Sequence, residues 1–269
     1  MNLLKVKKGS IKLGIFGKLL GKDQDKNAIN SPANNDAKPI ANATIANAPS
    51  HATEQDLLEY YVGICFDKQA DLYEAIGDNA WNADLKACEI SFGEGKTYAV
   101  QTLGTYSHQS NSWLWAWANK QADWPDSVQT KANQLKAYGD ANHIDIFSNG
   151  SFGAPISDVH LIGLIASGLF ASSAYYIADY GQGAMLYLIE SDKLAAAKNQ
   201  HARVITVIPQ MISAYEMNHK MAITHYLNAK NYTISSDAGK LSAEKNGNSL
   251  IAQFDELNRL TNLDGQLNP

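Results

Sequence analysis

The chain is short of basic charge: 22 Lys and Arg stand against 27 Asp and Glu, a formal net charge of -5. Nucleic-acid binders neutralise phosphates with clustered positive charge, so nucleic acid is not an expected partner. Cysteine is nearly missing. The two present, Cys65 and Cys88, form no CxxC and have no neighbouring pair of histidines to complete a zinc site. Neither a metal site nor a disulfide framework is predicted, and such cysteine usage fits a reducing, cytoplasmic setting. In residues 1–26 the longest uncharged stretch, Leu13 to Gly17, is too short for the apolar segment of a secretory signal.

Catalytic signatures are missing too. There is no H-E-x-x-H, no G-x-S-x-G elbow and no local Cys-His signature. His219 and His225 are six apart and point to different sides of a helix. Asp158 and His160 stand at a predicted helix start, where an Asp favours the helix dipole. Gly93-Glu94-Gly95-Lys96-Thr97 is similar to the end of a phosphate-binding P-loop, but position 90 is Ile90 where that pattern needs glycine. The segment that follows reads as a strand, so a hairpin turn is predicted there. No cofactor is expected and an enzyme is not the expected class, although a site assembled from distant loops stays open.

Long apolar runs are scarce. Leu161 to Ile177 carries no charge, but it includes Ser167, Ser172, Ser173 and two glycines. It lies at the lower limit of the roughly 17 to 25 residues that span a bilayer, so a buried helix is predicted.

Three compositional zones are present. Residues 1–26 place Lys5, Lys7, Lys8, Lys12, Lys18, Lys22 and Lys26 among Leu3, Leu4, Ile11, Leu13, Ile15, Phe16, Leu19 and Leu20. This pattern suits a basic amphipathic helix that attaches to an anionic membrane surface or a partner. Gly9, Gly14, Gly17 and Gly21 each weaken such a helix by about 1 kcal/mol relative to Ala, so a frayed leader is the competing reading. Residues 27–53 are Asn, Ala, Pro and Ser with few large side chains, a flexible linker that cannot bury enough surface to order itself. Residues 54–269 read as a single α+β domain.

In that body, Thr53 is placed to cap a helix that carries Leu57, Leu58, Tyr61, Ile64, Cys65, Leu72 and Ile76. Strands are predicted over Asp84 to Phe92, Thr97 to Ser107 and Ser112 to Asn119, with turns at Gly93–Lys96 and His108–Asn111. The arrangement is an antiparallel meander packed by helices. Pro125 and Asp126 open a helix that Gly139 closes, and a short strand follows through Ile144 and Phe147. A small-residue helix capped by Ser157 then runs to Ala178. Ala184 to Glu190 and Arg203 to Ile208 read as extended, and Asn218 caps a helix through Tyr226 and Leu227. Gly239 to Ala243 and Leu250 to Phe254 form a hairpin around Asn246-Gly247.

Two segments echo each other at an offset of 151, the difference between 232 and 81: Trp81 falls on Tyr232, Ile90 on Leu241, Ser91 on Ser242, Val100 on Ile251 and Leu103 on Phe254. A possible internal duplication of a helix-hairpin unit follows, with the copies as two halves of one sheet.

Aromatic residues concentrate in Trp113-Leu114-Trp115-Ala116-Trp117-Ala118-Asn119. As a strand this puts Trp113, Trp115 and Trp117 on one face, where they either fill a core or line a groove. Trp124, between Asp123 and Pro125-Asp126, is the better exposed anchor. The expected partner-binding residues are therefore Trp124, Asp123, Asp126, Trp113, Trp115 and Trp117.

The run Leu103-Gly104-Thr105-Tyr106-Ser107 together with Trp113 to Asn119 resembles an uncharacterised bacterial domain family marked by L-G-[ST]-[FY]-S and W-L-W-A-W-A-N. The likeness covers roughly Glu54 to Glu190 and leaves the leader and linker outside. That family brings no reaction and no cofactor to carry over. Its members are similar in size and acidic balance to immunity proteins of bacterial toxin systems. The resemblance thus implies a cytoplasmic protein that binds and neutralises a cognate toxin. A small-molecule-binding or enzymatic domain with a Trp-lined pocket, and a peripheral membrane protein attached through Leu3 to Leu20, are the alternatives.

Overall fold

The computed structural model describes residues 28–29, 45, 52–195 and 201–266. The leader reading and most of the linker reading fall outside them. The first long helix, α1 (Glu54–Ile76), begins as the sequence predicts. Thr53 Oγ1 accepts from the Asp56 N–H at 3.1 Å while Asp56 accepts from the Thr53 N–H at 2.8 Å, a reciprocal capping box. Leu57, Leu58, Tyr61, Val62, Cys65, Phe66, Leu72 and Ile76 are buried along it.

An eight-stranded sheet packs on α1. Its strands are β1 (Ala28–Ile29), β2 (Trp81–Asp84), β3 (Glu89–Phe92), β4 (Thr97–Ser107), β5 (Ser112–Trp115), β6 (Ser151–Gly153), β7 (Ala174–Asp179) and β8 (Gly183–Glu190). β1 is parallel to β2, and the other pairings are antiparallel. The single strand predicted over Asp84 to Phe92 is instead a hairpin. Asp84 Oδ1 accepts from the N–H groups of Lys86 and Ala87, and Cys88 takes a left-handed φ of 55°, which folds the chain back between β2 and β3.

β4 is the spine of the sheet. β8 pairs with it from Ala99 to Ser107, while β3 at Thr97 to Ala99 and β5 at Gly104 to Ser107 share its other edge. β8 is buried on both faces: Ala184, Leu186 and Leu188 enter the main core, and Met185, Tyr187 and Ile189 enter a second cluster with Trp81, Ile90 and Phe92. The Phe92 and Tyr176 rings meet at 4.8 Å although three strand pairings separate β3 from β7, so the sheet curls strongly around that second cluster.

Several helix predictions are corrected. A 3-10 turn, Asp126–Val128, precedes α2 (Thr130–Asn142), and the helix ends at His143 (φ 58°) rather than at Gly139. Gly139 lies inside it and makes room for Phe147, since a Cβ there would come within 2.5 Å of Phe147 Cβ. The expected strand through Ile144 and Phe147 is a helical turn, α3 (Asp145–Ser148), since two buried side chains three apart suit helical spacing. The small-residue helix is α4 (Ile156–Leu169) with Pro155, not Ser157, at its cap. It stops short of Ala178 because Ala171 (φ 51°) breaks it and β7 begins at Ala174. Among the described residues no helix is long and apolar enough to cross a membrane.

After the short α5 (Asp192–Ala195), the segment Arg203 to Ile208 is helical, within α6 (His201–Ala214). Its β-branched residues suggested a strand, but Val204, Val207, Ile208 and Met211 bury a helical stripe. α7 (His219–Ala229) carries the predicted cap, Asn218 accepting from the Met221 N–H at 3.0 Å. A second sheet of β9 (Thr233–Ser236), β10 (Lys240–Lys245), β11 (Asn248–Phe254) and β12 (Leu260–Gln266) closes the fold, and its β10–β11 hairpin is the predicted one. The buried face of this sheet shares one continuous core with α1 and α4.

The echo holds at the level of element order. A helix followed by three antiparallel strands occurs twice, and β3 and β4 start 151 residues before β10 and β11 (89 to 240, 97 to 248). The copies form separate sheets rather than one. Their registers also differ, since Trp81 pairs with Phe92 whereas Ala243 pairs with Ile234 instead of Tyr232.

Candidate functional site

The aromatic motif is a packing unit with Gly104. The strand ends at Trp115, and Ala116–Ala118 turns as a 3-10 helix, so Trp117 leaves the face shared by Trp113 and Trp115. Those two rings stand edge to face at 5.3 Å, both 0% exposed. The Trp115 indole donates to the Ile146 carbonyl at 2.9 Å. A Cβ on Gly104 would collide with the Leu114 carbonyl and come within 2.5 Å of the Trp113 ring. The glycine of the first motif therefore makes room for the first tryptophan of the second. Two of the six expected partner-binding residues, Trp113 and Trp115, are thus core side chains that a partner reaches only by opening the fold. Trp117 is half-buried, with Lys136 Nζ 5.2 Å from its ring centre.

The other three remain at the surface together. Asp123 and Asp126 are exposed, and Trp124 between them is half-buried, its ring packed against both core clusters. The turn is pinned along its length. Ala122 N–H donates to Asn119 Oδ1 at 3.2 Å, Trp124 N–H donates to the Ala122 carbonyl at 2.8 Å, and Gln129 Nε2 donates to the Trp124 carbonyl at 3.4 Å. Ser127 Oγ lies 3.5 Å from Cys88 Sγ, which brings the β2–β3 turn, with Asp84 and the exposed Glu89, alongside. The result is a hydrogen-bonded aromatic turn flanked by the carboxylates of Asp84, Glu89, Asp123 and Asp126 and by the exposed Lys86 and Lys120.

Two buried ionic centres lie elsewhere. Lys131 at the start of α2 contacts the Glu190 carboxylate, donates to Ser172 Oγ at 3.0 Å and lies 5.0 Å from the Phe170 ring centre. Ser172 Oγ donates to Glu190 at 2.7 Å, and Lys68 Nζ donates to the Ser172 carbonyl at 2.7 Å. Burial holds the Lys131 ammonium below its usual pKa, with Glu190 opposing. A serine beside a lysine of lowered pKa has the makings of a nucleophile, but Ser172 is 0% exposed. Its hydroxyl is spent joining α2, the α4–β7 turn and β8. The second centre joins α1 to the C-terminal helices: Asp67 contacts Lys230, while Arg203 reaches Asp71 at 3.2 Å and Glu74 at 2.5 Å. Asp71 is pushed up by burial, with Arg203 opposing.

His160, near the predicted helix start, is buried with Nδ1 3.1 Å from the Tyr175 hydroxyl, and burial lowers its pKa to about 4. A cleft of about 390 Å³ lies between Thr53-Glu54 and the α2–α3 turn at Asn142 to Asp145, and no tryptophan lines it. Burial raises the Glu54 carboxyl above its usual pKa, helped by Asp158 and Asp145. The sequence nominated none of the cleft residues, nor the exposed apolar side chains Tyr60, Met221 and Leu257. Tyr60 follows the buried Leu57 and Leu58 on a helix whose apolar residues run nearly all round, so periodicity carried no sign of its exposure.

Comparisons with curated proteins and with solved structures give no match. A family model, the family of unknown function DUF6882, matches residues 55–192, which run from the first turn of α1 past β8 and include both motifs. The packing of Gly104 on Trp113 lies inside that span and the second sheet lies beyond it; the chain belongs to the family of unknown function DUF6882.

Proposed function

We propose that this protein works in the cytoplasm by binding another protein, as an immunity protein that covers the active site of a cognate antibacterial toxin. The observation that carries the reading is the Trp124 turn: a half-buried indole held between two cores, flanked by the exposed carboxylates of Asp123 and Asp126. A pinned aromatic anchor loses little entropy on binding, and aromatic residues in rigid surroundings dominate interface energetics. The acidic rim suits a basic surface, such as the substrate face of a nuclease, and steers encounter with it. An interface of about 800 Å² per partner is enough for a stable complex.

The test is co-expression with candidate toxins, the products of the genes that flank its own. The wild-type chain is expected to restore growth, and Trp124→Ala is expected to restore it far less at equal protein level. Growth that stays arrested with the wild-type chain, or rescue that Trp124→Ala leaves intact, rules the reading out.

A further inference from the structure

Of the four large apolar side chains exposed on the described surface, three gather in one place: Tyr60 at 42%, Met221 at 46% and Leu257 at 69%. The Tyr60 ring lies 4.6 Å from the His225 ring, and His225 is one helical turn beyond Met221 on α7. The turn that carries Leu257 is tied to the start of α7. Lys220 N–H donates to the Asn258 carbonyl at 3.3 Å, and Leu260 N–H donates to His219 Nδ1 at 3.0 Å. An apolar band thus crosses from α1 over α7 to the β11–β12 turn. Burial lowers the His225 pKa, with Glu59 opposing, and the ring packed on Tyr60 extends the band.

The charges around the band do not balance. Its two cations are engaged: Lys220 Nζ donates to the carbonyls of Asp237 and Ala238, and Arg259 pairs with Asp255 at 2.7 Å. Glu216 and Glu256 are exposed, with no cationic partner among the described residues, and Asp56 is exposed one helical turn before Tyr60 on α1. A ligand that fits must be apolar on one side and basic at its edges.

The chain itself contains such a segment. Residues 3–20 combine Leu3, Leu4, Ile11, Ile15, Phe16 and Leu20 with Lys5, Lys7, Lys8, Lys12 and Lys18. We propose that the apolar band of Tyr60, Met221, His225 and Leu257 is the docking site of the chain's own basic leader, residues 3–20. Reach permits it. Ala28 and Ile29 pair beside Asn82 and Ala83, just past the end of α1, and Tyr60 is 16 residues up that helix from Ile76 (76 less 60), about 24 Å. Seven residues, 21–27, separate the proposed docking segment from Ala28, enough chain for about that span. Docking buries the exposed apolar side chains of both parts and matches leader lysines to Glu216 and Glu256. The inference is independent of the toxin reading, which rests on the Trp124 turn.

The test is zero-length carbodiimide cross-linking of the full chain, read by peptide mass spectrometry. Amide links from Lys5, Lys7, Lys8, Lys12 or Lys18 to Asp56, Glu216 or Glu256 are expected. They are expected to fall at least about fivefold in M221S/L257S, which removes apolar contact from two exposed positions and keeps every carboxylate. As a second reading, amide exchange across residues 3–20 is expected to be slowed in the wild type and released in E216Q/E256Q. Mixing heavy- and light-isotope protein identifies the chain of origin. Links within one chain support the proposal, whereas links only between copies assign the band to a second molecule and overturn it. Leader links spread over distant carboxylates, or leader protection that arises only with anionic lipid vesicles, also overturn it.

Discussion

At the residue scale, Gly104 and Trp113 show how a sequence motif becomes a packing constraint. A methyl group on Gly104 meets the Leu114 carbonyl and the Trp113 indole, both on the paired strand β5, so neither yields cheaply. Gly104→Ala is expected to cost about 1–3 kcal/mol, the usual range for overpacking a core, seen as a lower midpoint in thermal melts with loss of near-UV tryptophan ellipticity. His160 governs part of the acid limb. Its folded pKa of about 4 lies below the usual histidine value of 6.5, so between those values the unfolded chain binds more protons than the native one. The stabilisation is complete above about pH 6.5 and is lost as pH falls through 4, on the order of 3 kcal/mol over the window. His160→Phe is expected to flatten that part of the stability profile in urea titrations between pH 7 and pH 4, and an unchanged slope would place the acid sensitivity elsewhere.

At the element scale, pieces with strong local signals were legible and those decided by tertiary contacts were not. The Thr53 and Asn218 caps, the β4 strand and the Asn246-Gly247 hairpin all follow from backbone chemistry within a few residues. α6 does not: Val204, Val207 and Ile208 favour strand locally, and only burial against α1 and the second sheet makes the helical stripe worthwhile. The run from Leu161 to Ile177 reads as one helix because hydropathy does not mark the left-handed Ala171 that divides helix from strand. The Asp67 centre that clasps α6 and α7 to α1 was invisible for the same reason, its members being 163 residues apart in the case of Lys230. Lys230→Met leaves Asp67 buried with Arg203 3.7 Å away as its remaining cation. A loss of about 3–5 kcal/mol is expected in urea unfolding, and the double change with Asp67→Leu is expected to recover much of it. A double variant no better than Lys230→Met alone would show that the pair is not coupled.

At the scale of the whole molecule, the α+β class and the meander were readable, whereas the separation into two sheets was not. The echo between Trp81 to Leu103 and Tyr232 to Phe254 locates repeated elements, but register and partner strands are set by what each hairpin packs against. The surface was the least legible level. Exposure of Tyr60, Met221 and Leu257 and burial of Trp113 and Trp115 are properties of the assembled fold, and hydrophobicity alone ranks the two groups alike. For the proposed partner surface, D123K/D126K is expected to slow association several-fold and flatten its salt dependence while leaving the fold intact, read by stopped-flow mixing with the toxin.

The most direct measurement is calorimetric titration of the purified chain with a candidate toxin whose growth arrest it relieves, repeated with Trp124→Ala. A 1:1 complex weakened roughly 30-fold by the substitution, about 2 kcal/mol, is the expected result. Absence of binding, or a complex indifferent to Trp124, would contradict it.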